Sequence, residues 1–417
     1  MKCLLIILCV STISANEGLT CSNDNFQRPN HCDIENKTIG ATDRFGSPES
    51  QEINELFIFR SNMPVVPEKI FVYNPKLVFI SIFESGTTKL SKSLFANAVQ
   101  LQKVHIQYNN ISKLSNNTFI SCKSLENLEL NGNKHLYMEP AVFHGLSRLV
   151  VLSLADNLME SFPPTMLYQL VKLQMLHALK NKLKFIDENF FKKNLQLKYV
   201  DFSYNQLTTI PVNLFNGLQF MNTVYLQNNN LINVVNIDIS FVDLSNNNLT
   251  TFFIGSKIEN LHLENNFIES LECSKALRVH VFEADDNLLS NFNCITDMVN
   301  LTSLNLSKNK FKYPAPQQFI KLTNLRIFIM IDQKNSVIWK ASAFKGLNDL
   351  FMLRINKLFS YKSVKQILPE LSLLGVRTSK WNCELLQRVT KTLDGQGVKL
   401  LNIHSAEPKV CNVTIVN

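Results

Sequence analysis

One spacing dominates this chain: an eleven-residue pattern that returns at a constant interval. It begins at Leu101, Leu125, Leu149, Leu173, Leu197 and Met221. Each copy is apolar at positions one, four and six, and usually at eleven, with Asn at position nine. The pattern continues back to Leu77 and Ile53, where Ser replaces Asn, and forward through shorter units to a last one near Leu371. One such turn cannot bury its own apolar edge, so the turns must stack.

The pattern L-x-x-L-x-L-x-x-N-x-L resembles that of leucine-rich repeat proteins. The resemblance, with its caps, covers residues 17–417. It implies an α/β solenoid, a leucine-rich repeat horseshoe of about 13–15 mostly 24-residue turns with disulfide caps at both ends. We predict a signal peptide at 1–15, an N-terminal cap at 16–52, repeats at 53–376 and a C-terminal cap at 377–417.

Two periodic ladders support this register. Positions four and six of each strand should point inward, and positions three, five, seven and eight outward. The position-nine amides should satisfy backbone groups where the chain bends away from the strand. They are Asn109, Asn133, Asn157, Asn181, Asn205, Asn229, Asn247, Asn266, Asn287 and Asn309. A second ladder recurs eighteen residues after each start, and because aromatic residues that follow the period of a repeat belong to its core, we place it there. It consists of Phe71, Phe95, Phe119, Phe143, Leu167, Phe191, Phe215 and Phe319.

The N-terminus, MKCLLIILCVSTISANEG, has a basic start and a short apolar run, which predicts a secretory signal peptide; a short buried helix is the alternative. No later segment has 18 consecutive apolar residues, so we expect a secreted, extracellular protein without a membrane span. Sequons for glycosylation agree with export. They are Asn36, Asn110, Asn116, Asn248, Asn300, Asn305 and Asn412.

Seven cysteines remain after the signal peptide, which predicts disulfides in an exported chain. We expect Cys21–Cys32 in the first cap, and Cys383–Cys411 in the last cap beside a helix that presents Leu385, Leu386, Val389 and Leu393. Cys273 and Cys294 occupy equivalent positions in adjacent turns, so they should form a bridge, although two buried thiols are the alternative. Cys122 is then left over, as a free core thiol or an intermolecular partner.

Catalytic patterns are missing from the sequence. There is no Gly-x-Ser-x-Gly, no His-Glu-x-x-His and no phosphate-binding glycine loop. His105 and His177 should lie three turns apart, about 14 Å, which is too far to share a metal. A formal charge of +8 is a mild bias, without the dense basic runs of nucleic-acid binders. We therefore predict no enzyme, no cofactor, no metal and no nucleic-acid partner.

The concave face is the candidate binding surface, because Tyr among mixed polar residues is typical of protein recognition. The candidate contacts are His105, Tyr108, His177, Tyr199, Asp201, Tyr204, Tyr225 and Gln227. Solvated strand positions without a partner are the alternative. A glycan on Asn305 would block its turn and move binding to earlier turns.

Three further groups have unusual composition. Phe57, Phe59, Phe79 and Phe83 form an outward apolar patch, which marks a partner surface unless the N-terminal cap buries it. An acidic patch comprises Asp243, Glu264, Glu283, Asp285 and Asp286. The basic stretch 180–198 could hold an anionic glycan or bacterial surface, or be a solvated convex face.

The caps, the short repeats around Cys273 and Cys294 and the segment SKWNCELLQRV together resemble the short secreted leucine-rich immune proteins of mosquitoes and related insects. The resemblance implies a haemolymph factor that binds an extracellular protein or pathogen-surface ligand, in innate immune recognition or as a complement-like scaffold. That family's better-known members carry a coiled coil after the cap, whereas this sequence ends six residues past Cys411. The alternatives are a soluble adhesion or developmental signalling ligand, and a protein-type enzyme inhibitor.

Overall fold

The computed structural model describes residues 19–20, 30–46, 53–91, 93–134, 136–234, 237–275, 277–312, 314–334, 339–356, 364–376 and 383–401. These fall into two compact units. Unit 1 comprises the residues up to Leu207 together with Asn213–Met221, and unit 2 comprises Thr208–Val212 and the residues from Asn222 onward. The predicted signal peptide and the predicted partners Cys21 and Cys411 lie outside the described residues.

Unit 1 is a stack of turns that form one parallel sheet, with one strand from each turn of the repeat, so that Val151 aligns with Met175 and Met175 with Tyr199. Its strands are β2 (His31–Glu35), β4 (Glu55–Phe59), β5 (Phe79–Phe83), β6 (Lys103–Gln107), β8 (Asn127–Glu129), β10 (Val151–Ser153), β11 (Met175–His177) and β12 (Tyr199–Asp201). Smaller pairs are β1 (Leu19–Thr20) with β3 (Phe45–Gly46) and β7 (Lys113–Leu114) with β9 (Tyr137–Met138). A short helix, α1, spans Ile70–Tyr73.

Unit 2 is also a parallel stack, but its first turns are shorter, since Phe241 aligns with Asn260 and Asn260 with Val281. Its sheet contains β13 (Thr223–Tyr225), β14 (Phe241–Asp243), β16 (Asn260–His262), β18 (Val281–Glu283), β19 (Ser303–Asn305), β20 (Ile327–Met330), β21 (Met352–Ile355), β22 (Leu373–Val376) and β23 (Lys399–Leu400). Behind it, β15 (Thr251–Ile254) pairs with β17 (Ser270–Cys273). The helices are α2 (Val364–Ile367) and α3 (Cys383–Asp394), with 3-10 turns at Ile295–Asp297 and Ala341–Phe344. The predicted repeat solenoid is thereby confirmed.

The Asn ladder has the predicted role. All ten residues are buried. Asn181 is representative: its Oδ1 accepts from the N–H groups of Asn157 and Met159, at 3.2 and 3.0 Å. Its Nδ2 donates to the carbonyls of Leu154 and Ala178, at 2.9 and 3.1 Å. The ladder amides therefore join adjacent turns through groups that would otherwise be buried and unpaired, although Asn157 Nδ2 has no hydrogen-bond partner among the described residues.

The aromatic ladder fills the core on the side opposite the strands. In unit 1 the rings of Phe71 and Phe95 are 5.6 Å apart, and those of Phe95 and Phe119 are 5.0 Å apart. Phe215 is the exception, since it contacts Phe191 at 6.2 Å but stays partly exposed. In unit 2 Phe319 is fully buried. The ladder is core, as predicted.

Position eight of nearly every turn adopts a left-handed backbone conformation, which the sequence pattern did not indicate. Tyr108, Lys180 and Tyr204 are examples, with φ of 53°, 53° and 55°. Gly132, at φ 71°, is the glycine of this series. A Cβ there would lie 2.6 Å from the Tyr108 ring, so glycine allows that ring to lie against the neighbouring turn.

The sheet extends into both predicted caps. β2 pairs with β4 in the same register that joins the later strands, and β23 pairs with β22. The predicted C-terminal helix is α3, in which Leu386, Val389 and Leu393 are buried. Leu385 differs from expectation because it is 38% exposed.

The bridge between Cys273 and Cys294 is present, with the two Cα atoms 5.9 Å apart, so the alternative of two thiols is excluded. Cys122 is a free, buried thiol, and burial raises its pKa to about 12. A thiol in that state is a poor nucleophile, as expected of a core residue.

None of the described helices has the length and apolar character needed to cross a bilayer.

Candidate protein-recognition surface on the strand faces

The first turns of unit 1 carry a continuous row of rings on the outward face of the sheet. His31 contacts Phe57 at 4.5 Å, Phe57 contacts Phe79 at 4.9 Å, and Phe79 contacts His105 at 4.8 Å, measured between ring centroids. Alternation along each strand places these side chains outward, and the parallel register brings them side by side. We call this row, together with Phe59, Phe83 and Tyr108, the aromatic cluster.

The aromatic cluster stays open to solvent. Its four Phe residues are half-buried, and Tyr108 is 49% exposed, with its ring 5.3 Å from that of Phe83. The predicted N-terminal patch is thus present, and the described part of the N-terminal cap contributes His31 to it. A hollow of about 490 Å³ lies between the side chains of Phe59, Phe83 and His105.

Glu35 and Arg60 are among the residues that line this hollow. Arg60 Nε lies 3.3 Å from Glu84 Oε2, and both side chains are exposed. His105 Nε2 lies 3.5 Å from Glu129 Oε1. Burial lowers the pKa of His105 more strongly than Glu129 raises it. His105 is therefore neutral at physiological pH, and the Lys103 ammonium lies 5.9 Å from the centroid of the neighbouring Phe79 ring.

A second group of predicted contacts lies further along unit 1. The rings of His177 and Tyr199 are 4.8 Å apart, and Tyr204 is 50% exposed at its left-handed position. Burial lowers the pKa of His177. Strands β8 and β10 lie between this group and the aromatic cluster, so the structure brings the predicted unit 1 contacts together as two patches about 14 Å apart.

Asp201 differs from the expectation that it faces outward as a contact residue. It is 7% exposed, and its Oδ1 accepts from the backbone N–H and hydroxyl of Ser203, at 2.9 and 2.6 Å. The same bond between positions five and seven recurs from Ser245 N–H to Asp243, at 3.0 Å. The Asp-x-Ser segments therefore stabilise strand ends, and Asp201 offers little surface to a partner.

In unit 2 the Tyr225 ring packs on Phe241 at 5.1 Å, and Phe241 packs on His262 at 5.4 Å. Gln227, on the same face, is half-buried. This short aromatic row is followed directly by the acidic residues of the next turns.

The predicted acidic patch is a tight cluster. Carboxylate oxygens of Glu264, Glu283 and Asp285 lie within 4.8 Å of one another, a spacing that oxygen ligands of a divalent cation could adopt. Protein donors already reach each of them. His262 Nδ1 lies 3.1 Å from Glu264, Ser303 Oγ donates to Glu283 at 3.2 Å, and Asn305 Nδ2 donates to Asp285 at 2.9 Å.

Burial and mutual contacts raise the pKa values of titratable groups in and beside this acidic cluster. Burial, and then the charge of Glu264, raises the pKa of both Glu283 and Asp285. Burial also raises the pKa of Asp243. The hydrogen bond to Glu264 raises the pKa of His262. In each case the folded state favours the protonated form of the group. The stability that comes from this preference is present at acidic pH and is lost as pH rises through the folded-state pKa.

We predict that Glu283→Gln raises the melting temperature of unit 2 at neutral pH. The amide retains an acceptor for Ser303 but removes a charge that burial and Glu264 disfavour. The gain should vanish at acidic pH, where the native carboxyl is protonated. Thermal unfolding followed by circular dichroism across pH measures this, with the exposed Glu269→Gln as control. A gain independent of pH, or one shared by the control, would contradict the electrostatic explanation.

The sequons occupy different environments. Asn36, Asn110, Asn248 and Asn300 are exposed, Asn116 is half-buried, and Asn412 lies outside the described residues. Asn305 is half-buried, and its Oδ1 accepts from Ser307 N–H at 3.1 Å while its Nδ2 contacts Asp285. A glycan on Asn305 would displace that contact. Glycosylation of all seven stays a prediction.

The basic stretch 180–198 does not form one patch, because it encircles a whole turn. Lys180 follows the strand, and Lys184 pairs with Glu160 at 2.9 Å on the edge where strands end. Lys193 lies behind the sheet, and Lys198 lies where the next strand begins. All four are exposed.

Sequence reasoning missed His31 as part of the aromatic cluster. Its strand, HCDIE, precedes Glu55–Phe59 by one full turn of the repeat and alternates in burial like the later strands. The repeat pattern of the sequence begins only at Ile53, so His31 falls in the predicted N-terminal cap.

Comparison with known families agrees with this geometry. Residues 56–134 and 137–183 match the family "Leucine rich repeat", and residues 164–270 match "BspA type Leucine rich repeat region (6 copies)". The chain is a leucine-rich repeat protein. No curated protein matches this leucine-rich repeat protein in sequence.

Solved structures share the fold at low identity. A chain of the Toll–Spatzle complex of Drosophila has a TM-score of 0.69 and 15% identity, covering 90% of this chain and 57% of that one. A leucine-rich repeat protein of Leptospira interrogans has a TM-score of 0.60 and 20% identity, over 84% and 89% of the two chains. The leucine-rich repeat domain of mosquito APL1 has a TM-score of 0.54 and 14% identity, over 93% and 96%. This leucine-rich repeat protein therefore spans little more than half of the Toll–Spatzle complex chain that it matches.

Proposed function

We propose that this leucine-rich repeat protein is exported and binds other extracellular proteins through its strand faces, in innate immune recognition or as a complement-like scaffold, without enzymatic activity. The apolar N-terminal run, the Cys273–Cys294 disulfide and the four exposed sequons support export. The structural likeness to APL1 and to a chain of the Toll–Spatzle complex supports a role in immunity or signalling.

The aromatic cluster is the observation that carries the binding proposal. A strand face needs only solvated polar residues to be stable, yet these turns place four half-buried Phe rings side by side. Covering one such ring with a partner removes apolar area from water at about 25 cal/mol per Å². Aromatic residues around a hollow also match the anchors that dominate binding energy at protein interfaces.

The neutral state of His105 also favours partner binding at the cluster. Desolvating a charge upon binding is costly unless a partner charge replaces the lost water. Since His105 is neutral, a partner covers it without that cost, whereas the Lys103 ammonium beside Phe79 must stay solvated or meet an anionic group of the partner. Arg60 and Glu84 lie at the rim, where charged pairs orient a partner more than they strengthen binding. The other proposed contacts, His177, Tyr199, Tyr204, Tyr225 and Gln227, extend the recognition surface within each unit.

A protein-type enzyme inhibitor is the second candidate function, favoured by the acidic cluster of unit 2. Carboxylates held close together with raised pKa values present unfavourable charge that a basic partner would relieve. Such a partner would bind more weakly at high salt. Binding that depends on Glu264 and Glu283 but is unaffected by changes in the aromatic cluster would favour this function.

The proposal is tested with the double variant Phe79→Ala/Phe83→Ala. Purified protein captures partners from extracellular fluid of the source tissue, and each captured protein is then purified and titrated. We expect the double variant to weaken binding to the principal partner by tenfold or more, as about two hot-spot residues are lost.

The matched control is Phe253→Ala/Phe267→Ala, which removes two exposed rings from unit 2. Equal affinity of the wild type and the aromatic-cluster variant would remove that surface from the proposal. Failure of the full chain to be secreted would refute export. Production that does not change upon infection, with binding only to tissue receptors, would favour the adhesion or developmental role instead of immunity.

A further inference from the structure

The edge of unit 1 at which the strands begin combines exposed cations with exposed apolar side chains. Repeated backbone bonds define this edge. Val150 N–H donates to the Glu126 carbonyl at 2.8 Å, Gln174 N–H to Val150 at 2.9 Å, and Lys198 N–H to Gln174 at 2.9 Å. Residues just before each of these therefore stack in adjacent turns, about 4.8 Å apart. We call Arg148, Val171, Lys172, Leu195, Lys198 and Phe220 the basic–apolar edge.

The apolar members of this edge are unusually open. Val171, Leu195 and Phe220 are 48%, 53% and 52% exposed. Single exposed apolar residues are ordinary on protein surfaces. Val171 and Leu195 occupy the same position in consecutive turns, and Phe220 lies one position later in the next turn. Three exposed apolar side chains along one edge mark a surface that is covered in use.

The cations of the edge are unpaired within the part of the chain that the structure describes. Arg148, Lys172 and Lys198 are exposed and form no ion pair with a described carboxylate. Of the four stacked residues Glu126, Val150, Gln174 and Lys198, only Glu126 carries a negative charge, so the edge keeps a net positive charge. On the opposite edge of unit 1, by contrast, Lys113 pairs with Glu139 at 2.7 Å and Lys184 with Glu160 at 2.9 Å.

We propose that the basic–apolar edge of unit 1 docks onto an anionic lipid surface. Phosphate headgroups would meet Arg148, Lys172 and Lys198, while Val171, Leu195 and Phe220 would enter the boundary between headgroups and acyl chains. This combination distinguishes a bilayer from a soluble polyanion, which would use the cations alone. The edge is a different side of the turn from the strand face, so docking leaves the aromatic cluster accessible. The inference does not depend on the identity of the protein partner.

Vesicle flotation with the full chain tests this inference. We expect binding to phosphatidylcholine vesicles that contain about 30 mol% phosphatidylglycerol, and none to pure phosphatidylcholine, because each cation contributes about fivefold to affinity for an anionic surface. Arg148→Ser/Lys172→Ser should then weaken binding by roughly 25-fold. Val171→Ser/Leu195→Ser, which leaves the charge unchanged, should also weaken it, and more visibly at high salt, where the electrostatic part is screened.

The matched control is Lys184→Ser/Phe185→Ser on the opposite edge, which removes one cation and a ring that is 58% exposed. It should leave vesicle binding unchanged. Absence of binding to anionic vesicles, or an equal loss in the control, would overturn the proposal. Binding that the Val171/Leu195 variant does not weaken, together with retention on a heparin column that Arg148 and Lys172 control, would assign the edge to a soluble polyanion instead.

Discussion

Asn181→Ala is expected to cost on the order of 4 kcal/mol of the free energy of unfolding of unit 1. The change removes one acceptor and one donor from the core. It leaves the N–H groups of Asn157 and Met159 and the carbonyl of Leu154 without this partner, whereas the Ala178 carbonyl keeps its bond from Asn205 Nδ2 at 3.0 Å. All of these lie at or near zero exposure, so water cannot replace the amide without opening the turn.

Urea unfolding of unit 1 measures the total loss, and amide hydrogen exchange locates it. The backbone N–H groups of Asn157 and Met159 should exchange far faster in the variant, because Asn181 Oδ1 is their acceptor. Asn97→Ala is the control, since this Asn is exposed, belongs to unit 1 and lies outside the ladder. If Asn181→Ala and Asn97→Ala had similar effects, the ladder would be a consequence of the fold and not one of its causes.

Most of the scaffold could be predicted because the repeat reports it many times over. A single Asn after a strand is weak evidence, but ten Asn at one position, all except Asn133 with an apolar residue two positions later, determine the register. Where another residue replaces Asn at position nine, its side chain makes the same kind of hydrogen bond. At position nine of a later turn, Gln333 Nε2 donates to the Leu306 carbonyl at 2.7 Å, as the ladder amides do.

The candidate site was less predictable, because alternation along a strand says where a side chain points and not what it contacts. Asp201 points outward by position but turns back to Ser203, which buries it. His31 belongs to the aromatic cluster, yet it lies in a segment that reads as a cap. The rows of rings also depend on neighbours one full turn away in the sequence, which become visible only when the turns are stacked.

The two units differ in what fills the core behind the sheet. The longer turns of unit 1 have room for a Phe behind the sheet, so that Phe71, Phe95 and Phe119 stack there. The shorter turns of unit 2 lack that residue. There, β15 pairs with β17 behind the sheet, and the disulfide joins the end of β17 to Cys294. The disulfide and the β15–β17 strand pair thus occupy the place that the aromatic core has in unit 1.

The double variant Cys273→Ala/Cys294→Ala is therefore expected to destabilise unit 2 by about 3 kcal/mol, the entropy that a crosslink across 21 residues removes from the unfolded chain. Urea unfolding resolved by hydrogen exchange should show earlier opening of β15 and β17, with unit 1 unchanged. Cys122→Ala removes a thiol without a crosslink, so it should affect unit 1 only and by less. Equal stability of unit 2 with and without the bridge would mean that the β15–β17 ladder suffices, and that the disulfide serves export or protection from proteolysis instead of folding.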